Sequence, residues 1–348
     1  MSHKPVSDLK IAVLGTGANG AGIAADLVHA GLNVTLIDQW PDNVDAMRKN
    51  GLKVEFASRT EHTEVNILHL CQLAELRSKF DAVLLLVKAY DTRWACELIK
   101  PYLAEDGFVV GVQNGMSHLE ILDVLGAHRA LGAVIEITAA MDTPGVVSRH
   151  SDHDKSWFAV GAVKPEAAHH VETAAEILRH SGVVEITDDI SSRKWMKLVL
   201  NAAELVPSAI LNLSIVECAK FPGMRQYMLA AGNEAIHAAE VMGLEIRPIF
   251  GMSGEAAESP STYVAAVLDE LLSGYVLPHS KSTVLQDWNK GRRAEIEEIN
   301  GAVVVELAKA GIEAPVNQAV LKFARQIEAG NLTASIEVFE LLKAELAK

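Results

Sequence analysis

Two hydrophobic periodicities divide the chain. In the first half, short runs rich in Val, Ile, Leu and Ala alternate with helical stretches, and residues 11–14, 34–37, 82–87, 107–112, 130–137, 157–160 and 183–186 read as strands. The run 82–87 has no polar alternation, which predicts a strand covered on both faces. Residues 21–30, stopped by Gly31, and residues 91–98 read as helices between strands. Such alternation predicts a parallel sheet with crossover helices. From about Ser191 the strand signal disappears and apolar positions recur at helical spacing. Residues 223–242 form a helical run stopped by Gly243, and Ser259-Pro-Ser-Thr reads as a cap before 263–272. Within 282–311, Gly291 and Gly301 read as bends or close-packing points, with helix ends as the alternative. The expected division is an α/β domain over 1–187 and an all-helical domain over 188–348.

The first strand runs straight into a glycine pattern, in Lys10-Ile-Ala-Val-Leu-Gly-Thr-Gly-Ala-Asn-Gly20. In a strand-turn-helix, Gly15 makes the tight turn, Gly17 lets backbone approach a pyrophosphate, and Gly20 lets helix pack on strand. Ala18 and Asn19 complete the turn at the helix N-terminus, which faces the phosphates. The second strand ends in Asp38, 23 positions after Gly15, where a dinucleotide fold places the carboxylate that accepts ribose hydroxyls. Strand, turn, helix, strand and acid in this order predict dinucleotide binding. Ligands of open parallel sheets sit beyond the carboxyl ends of strands, so Lys88, after 82–87, and Asn114, after 107–112, join the candidates. Either residue could instead cap a helix or satisfy a turn.

In the helical half, Lys194, Lys197, Asn201 and Leu205 are spaced three, four and four apart, which places them on one helix stripe. A solvated basic edge would show the same spacing. The stripe runs through apolar neighbours, however, so Asn201 needs a partner, and a desolvated lysine would have a lowered pKa suited to donating a proton. Farther on, Ser282 and Thr283 with Lys281 could bind a carboxylate. Arg292 and Glu295, three apart on a helix, could be no more than a surface ion pair.

Composition narrows the function. The 348 residues carry 31 basic and 45 acidic side chains, a formal charge of −14. That balance argues against nucleic acid as a partner, and any anionic substrate must be held by a local basic cluster. No apolar run is long enough to cross a bilayer and no apolar signal segment opens the chain, so a cytoplasmic protein is expected. The 3 cysteines have no metal-ligand spacing, and no metal site is expected.

These residues together resemble the ketopantoate reductases (2-dehydropantoate 2-reductases) over nearly the whole chain. The motifs that carry the resemblance are Gly15-x-Gly17-x-x-Gly20, Val87-Lys-Ala-Tyr-Asp-Thr92, Gln113-Asn-Gly-Met116, Lys197-x-x-x-Asn201, Ser282-Thr-Val-Leu-Gln-Asp287 and Gly291-Arg-Arg-Ala-Glu295-Ile-x-x-Ile-Asn-Gly301. The resemblance implies an N-terminal Rossmann domain and a helical C-terminal domain, with substrate in the cleft between them. It implies hydride transfer from a nicotinamide to a 2-oxo acid, giving the (R)-2-hydroxy acid, as in pantothenate biosynthesis. Lys197 matches the general acid, while Asn201 and Glu295 match substrate-orienting residues. Glu295 also borders the cofactor, and Lys88 and Asn114 match residues near the nicotinamide half and the active site. Thr283 stands where the family commonly has a serine near the substrate carboxylate. A non-catalytic dinucleotide sensor would lack some of Lys197, Asn201 and Glu295; all are present. The helical half has apolar surface enough for a homodimer, which core packing explains equally well.

Two departures from the family pattern carry expectations. Leu205 replaces a second asparagine that would hold the pantoate hydroxyl, and leucine offers no hydrogen bond. A 2-oxo acid with a more apolar side chain is therefore expected, as in the D-mandelate-type dehydrogenases of the same superfamily. Asp38 stands near where the family often has an arginine for a 2′-phosphate. A carboxylate there accepts ribose hydroxyls and repels phosphate, so NAD(H) is expected over NADP(H), unless Arg48, Lys49 or Arg59 swings in.

Overall fold

A computed structural model describes residues 4–348. Its chain divides into two units, one running to Ser191 and the other spanning Ser192–Lys348. Among the described residues, the first unit holds twelve strands: β1 (Lys10–Leu14), β2 (Asn33–Asp38), β3 (Leu52–Glu55), β4 (Thr60–Thr63), β5 (Asn66–His69), β6 (Phe80–Leu85), β7 (Leu103–Gly111), β8 (Ala130–Glu136), β9 (Ala139–Thr143), β10 (Val146–Arg149), β11 (Trp157–Ala162) and β12 (Val183–Ile186). Eight of them form one sheet in the order β12-β11-β8-β7-β6-β1-β2-β5. From β5 to β8 all neighbours are parallel, and the order around β1 reverses direction as in a Rossmann domain. One pair departs from the expected parallel arrangement: β11 runs antiparallel to β8.

The apolar runs account for the main sheet. In β1, Ile11 and Val13 join the core on one face while Ala12 and Leu14 join the core on the other. In β6, Ala82 and Leu84 likewise oppose Val83 and Leu85. Strands buried on both faces need no polar alternation, which is why these were the clearest signals.

Five strands, β3, β4, β5, β9 and β10, are absent from the sequence reading. They are short, and polar residues such as Thr60-Glu-His-Thr63 hide their alternation. Four of them make a small sheet ordered β4-β3-β10-β9. Arg149, at the end of β10, joins that sheet to helix Ala18–His29 through a buried ion pair with Asp26 at 2.6 Å. The other guanidinium N–H groups donate to Ser151 O, Ser156 Oγ and Ser181 O, which offsets the desolvation of the charge.

The second unit contains helices and no strand among the described residues. Helix Met224–Met242 begins after Gly223 and ends at Gly243, both glycines in the left-handed region. Helix Pro260–Glu270 starts after Ser259. One expectation is corrected here. Gly291 has φ +64 and follows the end of helix Thr283–Asn289, so it terminates a helix rather than bending one. Gly301 does lie inside helical backbone, where a wide turn over Glu297–Gly301 passes into Ala302–Lys309. No helix among the described residues is long and apolar enough to cross a membrane.

Candidate functional site

The glycine turn follows β1 and opens helix Ala18–His29, with Gly17 at the cap position. Its three glycines meet different demands. Gly15 has φ +93, and a Cβ there would lie 2.6 Å from the Leu86 carbonyl carbon, so the turn closes against the end of β6 only without a side chain. A Cβ at Gly20 would fall onto the Gly15 carbonyl oxygen. At Gly17 a Cβ would meet nothing within 4 Å. The first and third glycines are therefore required by the chain itself, and the second leaves an open cradle at a helix N-terminus. Beside it, Asn19 Oδ1 is buried without a hydrogen-bond partner. An open cradle at a helix N-terminus fits a dinucleotide pyrophosphate, whereas the Asn19 oxygen, an acceptor, calls for a donor such as a ligand hydroxyl.

Asp38 ends β2 next to this turn and is buried. Its Oδ2 accepts from the Thr16 backbone N–H at 3.0 Å, from the Thr16 hydroxyl and from Asn43 Nδ2 at 3.2 Å, while Oδ1 accepts from Trp40 N–H at 2.8 Å. Asp38 thus fastens the glycine turn, a task beyond the ribose contact expected of it, and only Oδ1 keeps a lone pair to offer a ligand. Asn43 completes the brace by donating to Thr16 O and accepting from Gly145 N–H at 2.8 Å. Sequence reasoning missed Asn43, which sits early in a polar helix with no periodic signal.

Two of the three basic residues that could answer a 2′-phosphate are engaged elsewhere. Arg48 donates to Ile67 O and Gln72. Arg59 forms a forked pair with Asp152, bonds Glu61 and stacks 3.7 Å over Phe56.

Lys88 lies three residues beyond β6 and Asn114 three beyond β7, strands paired side by side next to β1. Both are half-buried at the carboxyl edge of the sheet, the edge that carries Gly15–Gly20 and Asp38. Two buried residues couple their loops. Gln113 Nε2 donates to Thr92 Oγ1 at 2.9 Å, and Thr92 in turn donates to Ala89 O, directly after Lys88. Gln113 Oε1 accepts from Ser117.

In the second unit, the polar stripe lies on helix Ile190–Ile210 and is buried throughout. Lys194 is 2% exposed, Lys197 8% and Asn201 1%, which excludes a solvated basic edge. Burial pushes the Lys194 ammonium down to about 7, partly offset by the Glu295 carboxylate. The Lys197 Nζ stands 5.2 Å from the centroid of the Phe250 ring, a cation-π arrangement. Phe250 stacks on Tyr275 at 4.5 Å and has φ +62, a conformation that costs a residue with a side chain about 1–3 kcal/mol. Neither aromatic was anticipated, since isolated Phe and Tyr positions carry no spacing signal. Leu205 is buried, and its neighbour Glu204 faces Cys218, whose thiol burial and that carboxylate push up to about 12.

Glu295 is buried whereas Arg292 is exposed, and the chain between them is not helical, so the expected shared helix does not form. A buried amide relay steadies this region. Asn300 Nδ2 donates to Ala202 O, next to Asn201, and to Asn317 Oδ1, while Asn317 Nδ2 donates to Glu234 and Ala231 O. Ser282 caps helix Thr283–Asn289 by accepting from Leu285 N–H, which explains that hydroxyl structurally. The Thr283 hydroxyl oxygen is buried with no partner, an unmet group where a substrate carboxylate is expected.

Known proteins resemble the chain in both sequence and fold. The family model described as ketopantoate reductase PanE/ApbA matches residues 11–163, and its C-terminal counterpart matches 189–328. A 2-dehydropantoate 2-reductase from Archaeoglobus fulgidus is 29% identical over 324 residues, covering 92% of this chain and 98% of the relative. A PanE/ApbA family ketopantoate reductase from Ralstonia eutropha superposes with a TM-score of 0.77 at 28% identity, covering 93% of this chain and 99% of that one. D-mandelate dehydrogenase bound to NADH and anilino(oxo)acetate superposes with a TM-score of 0.82 over 93% of this chain and 99% of that one, and at 21% identity the likeness is one of fold. With both of its units matched in order by the two halves of one family, the chain belongs to the ketopantoate reductases.

Proposed function

We propose that the protein reduces a 2-oxo acid to the (R)-2-hydroxy acid with NADH as the preferred reductant. A nicotinamide dinucleotide supplies the hydride. Gly15, Gly17, Ala18, Asn19, Gly20 and Asp38 hold it, and Lys88 and Asn114 contact its nicotinamide half. Lys197 protonates the nascent alkoxide through Nζ, and its charge stabilises the developing oxyanion. Asn201 and Glu295 orient the substrate, and the Thr283 hydroxyl meets its carboxylate. The observation that carries this reading is the buried Lys197 ammonium, one helical turn from the buried Asn201 amide. A cation kept out of water on the same stripe as a polar positioning group suits proton donation.

The structure supports two finer choices. Leu205 lacks a hydrogen-bonding group, and Phe250, stacked on Tyr275, lies beside Lys197, so a branched or aromatic 2-oxo acid suits this surface better than ketopantoate. The Asp38 charge opposes a 2′-phosphate, and Arg48 and Arg59 have partners of their own. Initial rates with benzoylformate, branched 2-oxo acids and ketopantoate, each with NADH and NADPH, test both choices. The expected result is a higher kcat/KM for the apolar acids and for NADH. A clear preference for ketopantoate, as the names of the curated relatives suggest, would remove the first choice, and more efficient use of NADPH would remove the second.

A further inference from the structure

We propose that Asp106, His169 and His170 form a binding site for a divalent transition-metal ion of the zinc type at the amino-terminal edge of the main sheet. The fold constructs this cluster. Between β6 and β7, Phe80 pairs with Leu103 and Ala82 with Phe108, so residues 104–107 loop out opposite Asp81. Gly107 permits the loop, because a Cβ there would lie 2.8 Å from Phe80 O and 2.9 Å from Ala104 N. Asp106 projects from it. The two histidines end a short 3-10 helix, Pro165–His170, that follows β11 and is anchored by the buried Ala167. His170 stacks on Phe108 of β7 with ring centroids 4.6 Å apart, fixing the helix against the strand that carries Asp106.

Asp106 Oδ1 lies 3.5 Å from His169 Nε2 and 3.6 Å from His170 Nε2, and the three atoms all fall within 4.8 Å of one another. Both contacts are long for hydrogen bonds. They match the edge of a tetrahedral shell, about 3.4 Å when the metal-ligand bonds are ~2.0–2.1 Å. Two imidazole nitrogens and one carboxylate oxygen, with the remaining positions left to water, suit Zn²⁺, Co²⁺, Ni²⁺ or Cu²⁺ rather than Mg²⁺ or Ca²⁺. His169 and Asp106 are exposed, so an ion has direct access.

The glycine turn, Lys88 and Asn114 all occupy the opposite, carboxyl edge of the sheet. A metal bound here would tie the Pro165–His170 helix to β7 and stabilise the first unit without entering hydride transfer. The test uses tag-free protein stripped with a chelator, titrated with Co²⁺ by visible absorption and with Zn²⁺ by calorimetry. One equivalent should bind and raise the melting temperature, since an ion that binds the native state stabilises it. His169→Ala and Asp106→Asn, both at exposed positions, should weaken binding by more than about 10-fold and abolish the rise, while the metal-free melting temperatures stay at the wild-type value. Cys71 is exposed and its N–H donates to His69 Nδ1, so Cys71→Ser serves as the control and should leave binding intact. Stoichiometric binding that survives His169→Ala, binding lost in Cys71→Ser, or no saturable binding at submillimolar metal would each overturn the proposal.

Discussion

In the first unit the candidate residues follow the ends of neighbouring parallel strands, and in the second they lie along one buried helix and in the irregular turns around it. Backbone geometry dominates the former: Gly15 and Gly20 are required by close approach of main chain to main chain, and Asp38 spends most of its hydrogen-bonding capacity holding the turn. Side chains dominate the latter, where Lys197, Asn201 and Glu295 are buried polar groups. Damage to the first unit should therefore appear as lost affinity for the dinucleotide or lost stability, and damage to the second as lost turnover.

The largest effect expected is that of Lys197→Ala. Removing a general acid lowers turnover by roughly 10²–10⁴, about 3–5 kcal/mol in the barrier. Because Lys197 belongs to the second unit, NADH affinity measured by fluorescence titration should remain at the wild-type value. A variant that loses cofactor affinity and keeps its kcat would reverse the comparison, and unchanged turnover would take Lys197 out of the mechanism.

A smaller effect separates two glycines of one turn. Gly20→Ala pushes a Cβ into the Gly15 carbonyl and should cost about 1–3 kcal/mol of stability, along with dinucleotide affinity. Gly17 has φ −67 and open space around it, so Gly17→Ala should change stability by less than about 0.5 kcal/mol while still weakening NADH binding. Thermal melts and NADH titrations of the two variants read this difference. Equal destabilisation would mean that the chain, and not a ligand, requires Gly17.

The same contrast explains what could be read from the sequence. Strands buried on both faces, such as β1 and β6, announce themselves as apolar runs, and a turn that only glycine can make leaves glycine in the sequence. The small sheet left no such trace, because β4 is mostly polar and the buried pair that holds β10, Arg149 with Asp26, links residues far apart in the chain. In the second unit, the stripe from Lys194 to Leu205 was visible from helical spacing, but the partners that give it character were not. Phe250 comes to Lys197, and Tyr275 to Phe250, through tertiary packing alone, and the relay from Asn317 through Asn300 to Ala202 forms in the same way. Glu295 was found through its motif, yet the helix assumed to carry it with Arg292 does not exist.

Lys194 sharpens the comparison by a stability effect with no counterpart in the glycine turn. Folding lowers its pKa to about 7 because burial disfavours the ammonium, an effect the Glu295 carboxylate partly offsets. Between that value and its ordinary one near 10.5 the unfolded chain binds more protons than the native one. Stability contributed by this group is therefore lowest at the acid end of the window and rises with pH, by at most about 1.4 kcal/mol per pH unit for a single proton. Lys194→Met keeps an unbranched side chain of similar length and removes the charge. Relative to wild type it should be stabilising at pH 7, with the advantage shrinking steadily toward pH 10 in paired thermal melts. A difference that stays flat over this range would show that Lys194 does not change its proton affinity on folding. The buried cation that matters to the second unit would then be Lys197 alone.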